Sequence, residues 1–573
     1  MAFLWRSCAG IALVASSLMF SACSGDDPTG PTDLPPASAA VTAPSATTAR
    51  VTWSKVSDAT SYVVQRAIGA SGGTFATVSP ATQTDTVFLD AGLEPSASYR
   101  YRVQAIRATG PSQFTAEVSV TTAAPGTVAG VISGNITANR TLYADTVYTL
   151  LGFIQVTNGA TLTIQPGTRI RGDTTPANIG SSLFITRGAK LDAQGTASNP
   201  IVFTSLRAAG GRQPGDWGGL IIIGNGVINK TGTVTIEGTG VGTNNPAQVY
   251  SGGNSNTDNS GILRYVRIEF AGYATAPNQE LNSLTLAAVG SGTTLEYVQT
   301  LAGLDDSFEW FGGAVDGKYL VSYESGDDHF DMSEGYVGRL QYLIAMQTRI
   351  VPPRAAAGSP STDPQGIEND GCDGAACPSG QTSPPATMPV VANFTLYGTG
   401  PTNGVTLPVG GGRGMLLRRA TGGFYVNGVI GRFPVAGISL RDTVTLQRAT
   451  AGELVVSNIL FAENGAMFDP QITPIVSNTP RQYALDSTAN NLRSVAGTAS
   501  SLFTSVSAAQ PAAGATFDWA PVAGGAAASG GLTTFTGTLQ TRAGTFIAGT
   551  AFRGAADPAG PKWWNGWTTY AVN

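Results

Sequence analysis

A shift of 22 residues superimposes two acid-rich segments of the chain, and it limits the possible folds more than any other feature. Both segments lie in residues 303–335, here called the acidic coils, and both contain the pattern Asp-Asp-x-Phe-acid. The coinciding pairs are Tyr297 and Tyr319, Val298 and Leu320, Asp305 and Asp327, Asp306 and Asp328, Phe308 and Phe330, Glu309 and Asp331, and Gly313 and Gly335. A unit this short cannot bury its own apolar face, so successive units must stack as the coils of a solenoid.

Short apolar strands between Gly, Asn and Asp turns continue this pattern over residues 128–480. Examples are "NGATLTIQPGTRIRG" and the near copies "LRYVRIEFAG" and "LEYVQTLAG", whose Val, Ile and Leu content suits a buried parallel sheet. This segment resembles the right-handed parallel β-helix of the pectin-lyase-like superfamily. The phrases "GDWGGLIIIG", "YVRIEFAG" and "DDSFEWFGG" in residues 128–573 also resemble a family of bacterial envelope proteins, a resemblance that implies no particular activity.

Residues 41–124 predict a second all-β domain. Segments such as "ARVTWSKV" and "SYRYRVQAI" alternate apolar and polar residues at the spacing of a β-sandwich. The segment resembles a fibronectin type III domain, with Trp53 at the position of the core tryptophan and Leu93 and Tyr99 at the family's tyrosine corner. The predicted fold class is therefore all-β, a sandwich followed by a parallel β-helix.

The N-terminus has the features of an export signal. Arg6 precedes the apolar run "IALVASSLMF", which is too short to span a bilayer. The following "FSAC" resembles a lipoprotein lipobox, which implies cleavage after residue 22 and lipidation of Cys23; ordinary secretion is the alternative. Ser24 resembles the signal for the outer membrane, and residues 23–40 form a predicted flexible tether. The chain is thus expected in the cell envelope or at the cell surface, with a lipid anchor as its membrane contact.

The charge of the chain argues against nucleic-acid binding. Charged residues make up 12% of the sequence and the net charge is −5, without a basic stripe to neutralise phosphates.

The stacking of acid on acid must be offset by some favourable interaction. Adjacent coils lie about 4.8 Å apart, and at that distance two carboxylates repel by about 1 kcal/mol in water and by more when buried. A hard cation would offset this repulsion, and calcium, which takes six to eight oxygen ligands, suits the site best. The predicted ligands are Asp305, Asp306, Glu309, Asp327, Asp328 and Asp331.

A catalytic site and a structural ladder are the alternatives to a cation site. In a catalytic site, Asp306 and Asp328 act as paired carboxylates in glycoside hydrolysis, or Lys318 or Arg339 acts as the base of a calcium-dependent polysaccharide lyase. "GDDH" resembles the Gly-Asp-Asp element of pectin-degrading hydrolases, although their Gly-His-Gly and Arg-Ile-Lys elements are absent. In a structural ladder, the aspartates lie at turns and accept hydrogen bonds from backbone amides.

Several other residues have weaker predictions. Asp328 is expected to raise the pKa of His329, the single histidine. Cys372 and Cys377 are predicted to form a disulfide that closes a small loop. Glu368, Asp370 and Asp373 in that loop are expected to be solvated, with calcium binding or cover over the acidic coils as alternatives, and Arg413, Arg418 and Arg419 could contact an acidic glycan. The tryptophan cluster of residues 481–573, namely Trp563, Trp564 and Trp567, is expected to cap the open end of the solenoid, with sugar stacking as the alternative.

Together these patterns favour an extracellular binding or adhesion protein that engages a polysaccharide or a surface partner, with calcium holding the acidic coils. A polysaccharide lyase or glycoside hydrolase is the second hypothesis, and an architectural spacer is the third.

Overall fold

The computed structural model describes residues 34–570 except residues 125, 127, 179, 242–243, 277–278, 353–363, 401–410, 470–486 and 510–515. The predicted signal peptide, Cys23 and the first part of the predicted tether lie outside the described residues. Within the described ranges, no helix is both long enough and apolar enough to cross a bilayer.

The N-terminal unit is a β-sandwich. Trp53 packs edge-on against Tyr62 with 5.3 Å between ring centroids, and Leu93 and Tyr99 are both buried. One sheet has strands Ala39–Ser45, Thr48–Trp53 and Val87–Ala91, and the other has Ala76–Thr77, Ala59–Ile68, Ser98–Arg107, Gly110–Pro111 and Val118–Thr121.

The larger unit is a parallel solenoid whose described strands form two long sheets. Sheet A contains Val128–Ser133, Arg140–Leu142, Thr146–Leu151, Thr161–Ile164, Arg169–Gly172, Lys190–Gln194, Ile201–Ser205, Gly261–Glu269, Thr294–Leu301, Asp316–Tyr323, Arg339–Met346, Val390–Tyr397, Gly423–Val426, Val429–Gly431, Leu454–Ser457, Leu460–Ala462 and Arg493–Val495. Sheet B contains Phe153–Val156, Ser182–Ile185, Gly219–Ile223, Leu284–Ala287, Phe308–Phe311, Phe330–Ser333, Ile367–Asp370, Arg413–Arg418 and Ala436–Leu440. The predicted all-β class is confirmed.

The register of both sheets follows the 22-residue repeat. In sheet B, Phe308 pairs with Phe330 and Glu309 with Asp331, while in sheet A, Val298 pairs with Leu320. The two phenylalanine rings point into the core and stack with 5.3 Å between centroids. The strand Arg493–Val495 still pairs in parallel with Leu460–Ala462, which extends the solenoid beyond residue 480.

The remaining described elements lie outside the two long sheets. Helix Thr443–Thr450 begins after Asp442, whose side chain accepts a hydrogen bond from the Thr445 amide, and its Leu446 packs against the solenoid core. The other described elements are strands Ala274–Ala276, Gln279–Glu280, Pro378–Gln381, Phe503–Ser505 and Asp518–Pro521, 3₁₀-helices Ala499–Leu502 and Ala526–Ala528, and helix Gly537–Ala543.

A column of four tyrosines marks the flank of sheet A. Each tyrosine sits at a bend of a long strand with φ between 51° and 65°, and neighbouring rings stack with centroids 4.4, 4.4 and 5.1 Å apart. Trp567 packs edge-on against the rings of Tyr265 and Tyr297, and Trp563 packs at a tilt against the ring of Tyr319. The tyrosines are Tyr265, Tyr297, Tyr319 and Tyr342.

The tryptophan cluster therefore covers the side of the middle coils, and the expectation that it caps the open end is wrong. Trp564 and Trp567 are buried against this flank together with Tyr570. The C-terminal segment packs on the tyrosine column and so removes apolar ring surface from water.

Candidate functional site

Each acidic coil carries its paired aspartates in the turn before a strand of sheet B, with Asp305 and Asp306 in one coil and Asp327 and Asp328 in the next. In the strands that follow, alternate residues face opposite sides. The phenylalanines enter the core, and the acids that follow them point outward. The outward row then crosses three consecutive strands as Glu309, Asp331 and Glu368, which pair in register.

These acids line a cavity of about 730 Å³, here called the acidic cavity. Its basic residues are Lys230, Arg418, Arg419 and Arg441, and Phe311 is its single aromatic side chain. Its twelve carboxylates are Glu237, Glu280, Asp305, Asp306, Glu309, Asp327, Asp328, Asp331, Glu334, Glu368, Asp370 and Asp373. Acids outnumber bases threefold, so the cavity has the electrostatic character of a cation site.

Carboxylate oxygens in the cavity are close enough to share cations. In each of three sets of residues, one oxygen from every member lies within 4.8 Å of the others. Asp306 belongs to two of the sets, and so does Asp331. The sets are Asp305, Asp306 and Asp327; Asp306, Glu309 and Asp331; and Asp328, Asp331 and Glu368. Clustered carboxylate oxygens are the ligands that calcium prefers.

Hydrogen bonds satisfy part of this acidity. Asp306 Oδ1 accepts from the Asp328 amide at 2.8 Å, and Asp328 Oδ1 accepts from the Gln365 amide at 2.7 Å, which forms an aspartate–amide ladder between coils. Glu309 accepts a hydrogen bond from the side chain of Asn282. Asp331 Oδ1 is buried and has no hydrogen-bond partner among the described residues. The ladder therefore accounts for Asp306 and Asp328, and Asp331 Oδ1 is left without a compensating hydrogen bond.

The environment raises the pKa values of the cavity carboxyls. Burial is the main cause and neighbouring carboxylates add to it, so the pKa values of Asp305, Asp306, Glu309, Asp328 and Asp331 lie well above their usual range. The pKa of Glu368 rises to about 8 and that of Glu237 to about 7 for the same reasons. Without a cation, several of these groups hold protons at neutral pH.

Basic side chains form ion pairs at two places in the cavity wall. Arg418 pairs with Glu368 and with Asp370, the latter at 2.8 Å, and Arg419 pairs with Asp370. On another part of the wall, Lys230 Nζ lies 2.5 Å from Glu334 Oε1, and Tyr250 donates to Glu334 Oε2 at 2.6 Å.

The structure corrects the expected roles of several charged residues. Glu368, Asp370 and Asp373 line the cavity; Glu368 and Asp370 are buried, so the expectation of a solvated loop is wrong for these two, whereas Asp373 is exposed. Their loop carries a disulfide between Cys372 and Cys377, and Cys372 is buried.

Arg413, the first arginine of its run, lies apart from the cavity lining. It is buried in an ion pair with Asp469, so it is not placed to contact a glycan.

The predicted bases Lys318 and Arg339 do not line the acidic cavity. Both lie on strands of sheet A, where Lys318 Nζ sits 4.6 Å from the centre of the Phe546 ring. Arg339 forms a two-pronged ion pair with Asp316, whose shortest distance is 2.5 Å. The 22-residue period places residues 316–323 on the other sheet from residues 308–311, although they are close in sequence.

His329 faces the core, and the prediction of a raised pKa is wrong. The residue is fully buried, and its Nδ1 lies 2.6 Å from the Ser322 hydroxyl. Burial lowers the pKa of His329 to about 3, because the imidazolium would lose its hydration there. Asp328, the neighbour in sequence, points to the cavity instead.

Four charged cavity residues were not anticipated from the sequence, and one of them, Arg441, directly follows the sheet B strand Ala436–Leu440. Lys230, Glu237 and Glu280 all belong to the long insertion between sheet B strands Gly219–Ile223 and Leu284–Ala287. They stand singly among apolar and polar residues, outside the repeat, so no spacing in the sequence links them to the acidic coils.

Two family models match the chain. The model of the pectate-lyase-like beta helix domain matches residues 134–508, and that of the fibronectin type III domain matches residues 34–121. No curated protein matches the chain.

Solved structures match over a small part of the chain. A Fn3-like protein from Clostridium thermocellum is 27% identical, with 16% of this chain and 93% of that chain covered and a TM-score of 0.15. The fn3 domain of human collagen alpha-1(XX) is 22% identical, with 18% and 95% covered and a TM-score of 0.16. With such low scores, the family models alone carry the assignment.

Proposed function

Because the chain belongs to the pectate-lyase-like beta helix family and carries a fibronectin type III domain before the helix, we propose that it is a calcium-dependent binding protein of the cell surface. The combination of the two domains supports a surface or carbohydrate-related protein. The acidic cavity is the proposed binding site, and a polysaccharide or a surface partner is its proposed ligand.

The proposal is carried by the three carboxylate sets whose oxygens lie within 4.8 Å of one another in the cavity. A divalent cation there would replace the protons that the raised pKa values imply and remove the repulsion between coils. The site residues are those predicted from the repeat, with Glu368 in addition. A cation held among them leaves coordination positions for hydroxyl or carboxylate oxygens of a ligand.

The proposed location follows from the N-terminal sequence. A lipid on Cys23 would hold the protein at the membrane surface, and the tether with the sandwich domain would space the solenoid from it. Metabolic labelling with a fatty acid analogue tests this, with Cys23→Ala as the variant that should lose the label.

Calcium titration tests the site. We expect calcium to bind in calorimetry and to stabilise the protein by about 3 kcal/mol when it is present at about a hundredfold its Kd. The double variant Asp305→Ala with Asp327→Ala should lose this stabilisation. A matched double variant, Asp192→Ala with Asp557→Ala, makes the same charge change outside the cavity and should keep it. Absence of both heat and stabilisation in the native protein would contradict the cation site.

Ligand binding is tested separately. Polygalacturonate, alginate and a neutral dextran are compared as immobilised ligands, with calcium or with a chelator. Retention that needs calcium and is lost in the Asp305→Ala, Asp327→Ala variant supports the binding function. Retention that survives the chelator contradicts the role of calcium in binding.

A polysaccharide-degrading enzyme is the second candidate, favoured by Glu237 and Glu368. With a pKa of about 8, Glu368 would be largely protonated at neutral pH, and with a pKa of about 7, Glu237 would be about half protonated, so either could donate a proton to a leaving group in the same cavity. A screen of acidic and neutral polysaccharides for new reducing ends or unsaturated products tests it. Products that disappear with Glu237→Gln or Glu368→Gln would favour the enzyme over the binding protein.

A further inference from the structure

A second charged surface lies on sheet A, separate from the acidic cavity, and its charge has the opposite sign. It consists of Arg169, Arg171, Arg212 and Arg267 with Glu269, and is here called the arginine patch. Arg267 pairs with Glu269 at 3.0 Å, and Arg212 reaches the same carboxylate at 4.0 Å. Two guanidinium groups therefore share one carboxylate, and Arg169 lies within electrostatic range of Glu269 and of the other three arginines, in a protein whose net charge is −5.

The strand register places these arginines around a narrow strip of sheet. Arg169 pairs with Val202, which pairs in turn with Arg267, so the two arginines lie two strands, or roughly 10 Å, apart. Arg171 pairs with Thr204 on the same face. Ile170 and Phe203, the residues between them in sequence, enter the core, so the alternation turns Arg171 and Thr204 outward.

Two polar atoms at the centre of this patch lack partners. Thr204 is fully buried although it faces outward, and its hydroxyl has no hydrogen-bond partner in the part of the chain that the structure describes. Nε of Arg171, the residue that pairs with Thr204, is likewise buried and has no hydrogen-bond partner among the described residues. Buried donors are normally satisfied, so two adjacent unsatisfied donors indicate a missing acceptor.

The charges nearby do not supply that acceptor. Among the described residues, neither Arg169 nor Arg171 forms a salt bridge. Asp173, two residues beyond Arg171, has its oxygens engaged by Thr175 and Asn178. Burial, together with the other three arginines, lowers the pKa of Arg169, which agrees with a cluster that needs an anion.

We propose that the arginine patch binds a tetrahedral oxyanion, phosphate or sulfate, whose oxygens accept hydrogen bonds from Arg171 Nε and Thr204 Oγ1 between the guanidinium groups of Arg169 and Arg267. Donors on neighbouring strands approach such an ion from different directions, and a tetrahedral group offers an oxygen to each. The planar guanidinium forks supply further charge-assisted hydrogen bonds. The anion is either free in solution or a group carried on a polymer, such as a sulfated polysaccharide.

The test is calorimetry on the full chain at constant ionic strength, with inorganic sulfate, inorganic phosphate, dextran sulfate and neutral dextran. We expect binding of the inorganic ions, or of dextran sulfate alone if the group must be carried on a chain, and no binding of neutral dextran. Arg171→Gln should weaken binding by about tenfold. Arg264→Gln, on the same strand as Arg267 but paired with Glu296, makes the same charge change and should leave the Kd unaltered.

Thr204→Val keeps the result interpretable if an arginine variant folds poorly. Valine replaces the hydroxyl by a methyl group of similar size, so we expect weaker anion binding without a loss of Tm in anion-free buffer. The proposal is overturned if the native protein binds none of the charged probes. It is equally overturned if Arg171→Gln and Thr204→Val bind them as tightly as Arg264→Gln does.

Discussion

The acidic cavity and the tyrosine column arise from the same repeat on opposite sheets of the solenoid, yet their physical consequences differ. In both, one residue type recurs on successive coils at almost the same spacing. Tyr297 and Tyr319 stack with centroids 4.4 Å apart, which is favourable for aromatic rings. Asp305 and Asp327 place like charges on neighbouring coils, which is unfavourable at that distance.

The difference shows what a stacked register does. It brings equivalent residues of neighbouring coils together whether or not they attract, so the side-chain chemistry decides whether a column stabilises the fold. The tyrosine column also offsets the cost of φ values near 60° at its bends, a conformation that non-glycine residues rarely adopt. The acids add no comparable packing and leave their charges facing a cavity. We infer that the tyrosine column serves stability and the acidic cavity serves binding.

Among the changes that test this difference, removal of Trp567 should have the largest effect on stability. The residue is fully buried and meets Tyr265 and Tyr297 edge-on, so Trp567→Ala should destabilise the protein by about 3–5 kcal/mol. Denaturant unfolding followed by near-ultraviolet circular dichroism measures the loss. Calcium affinity should stay unchanged, since the cavity lies on the other sheet. A variant that keeps its stability, or loses calcium binding while folded, would contradict the division between the two columns.

The fold was largely predictable from the sequence because the repeat itself encodes the register. Once Phe308 is superimposed on Phe330, strand alternation turns the phenylalanines inward and the following acids outward, as the structure has them. The contact between the tyrosine column and the C-terminal tryptophans was predicted less well. The equivalence of Tyr297 and Tyr319 was visible, but nothing local in the sequence connects them to Trp567, which reaches them across some 250 residues.

The candidate site was predictable only where it follows the repeat. Glu237 and Lys230 come from an insertion whose path depends on tertiary packing, and His329 turned inward although its neighbour Asp328 turned outward. Lys318, the predicted base, does not line the cavity, and the reason is related. Closeness in sequence does not mean closeness in space in a solenoid, because residues ten apart lie on different faces of a coil.

Neutral substitution in the acidic cavity should have an intermediate effect of the opposite sign. Glu309→Gln with Asp331→Asn removes two repelling, buried carboxylates and should stabilise the calcium-free protein by about 2 kcal/mol at pH 8. Thermal unfolding in a chelator measures the gain. Asp316→Asn is the matched control on sheet A, where the lost ion pair with Arg339 should lower stability instead. A cavity variant that is less stable than the native protein would contradict the repulsion between these acids.

The dependence of stability on pH is the smallest and most specific expected effect. A carboxyl whose pKa is raised by folding holds its proton more tightly in the folded state, so its contribution is lost as pH rises through the folded pKa. With the pKa of Glu237 near 7 and that of Glu368 near 8, we expect stability in a chelator to fall from about pH 4.5, the ordinary pKa of glutamate, and to lose about 1–2 kcal/mol more between about pH 6.5 and 8.5. Below about pH 6.5 the fall should be less steep, because unfolding frees the buried His329, whose folded pKa is about 3, to take up a proton, which offsets part of the carboxyl contribution.

Calcium separates the cavity from other buried acids in the same measurement. A bound cation favours the ionised carboxylates, so saturating calcium should abolish the fall in stability above about pH 6.5. Glu324 lies outside the cavity lining, and burial raises its pKa to about 7 as well, so its share of the fall should persist with calcium. In the Glu324→Gln variant, calcium should therefore remove the remaining slope completely. A slope that calcium leaves intact in this variant would show that the cavity acids do not bind the ion.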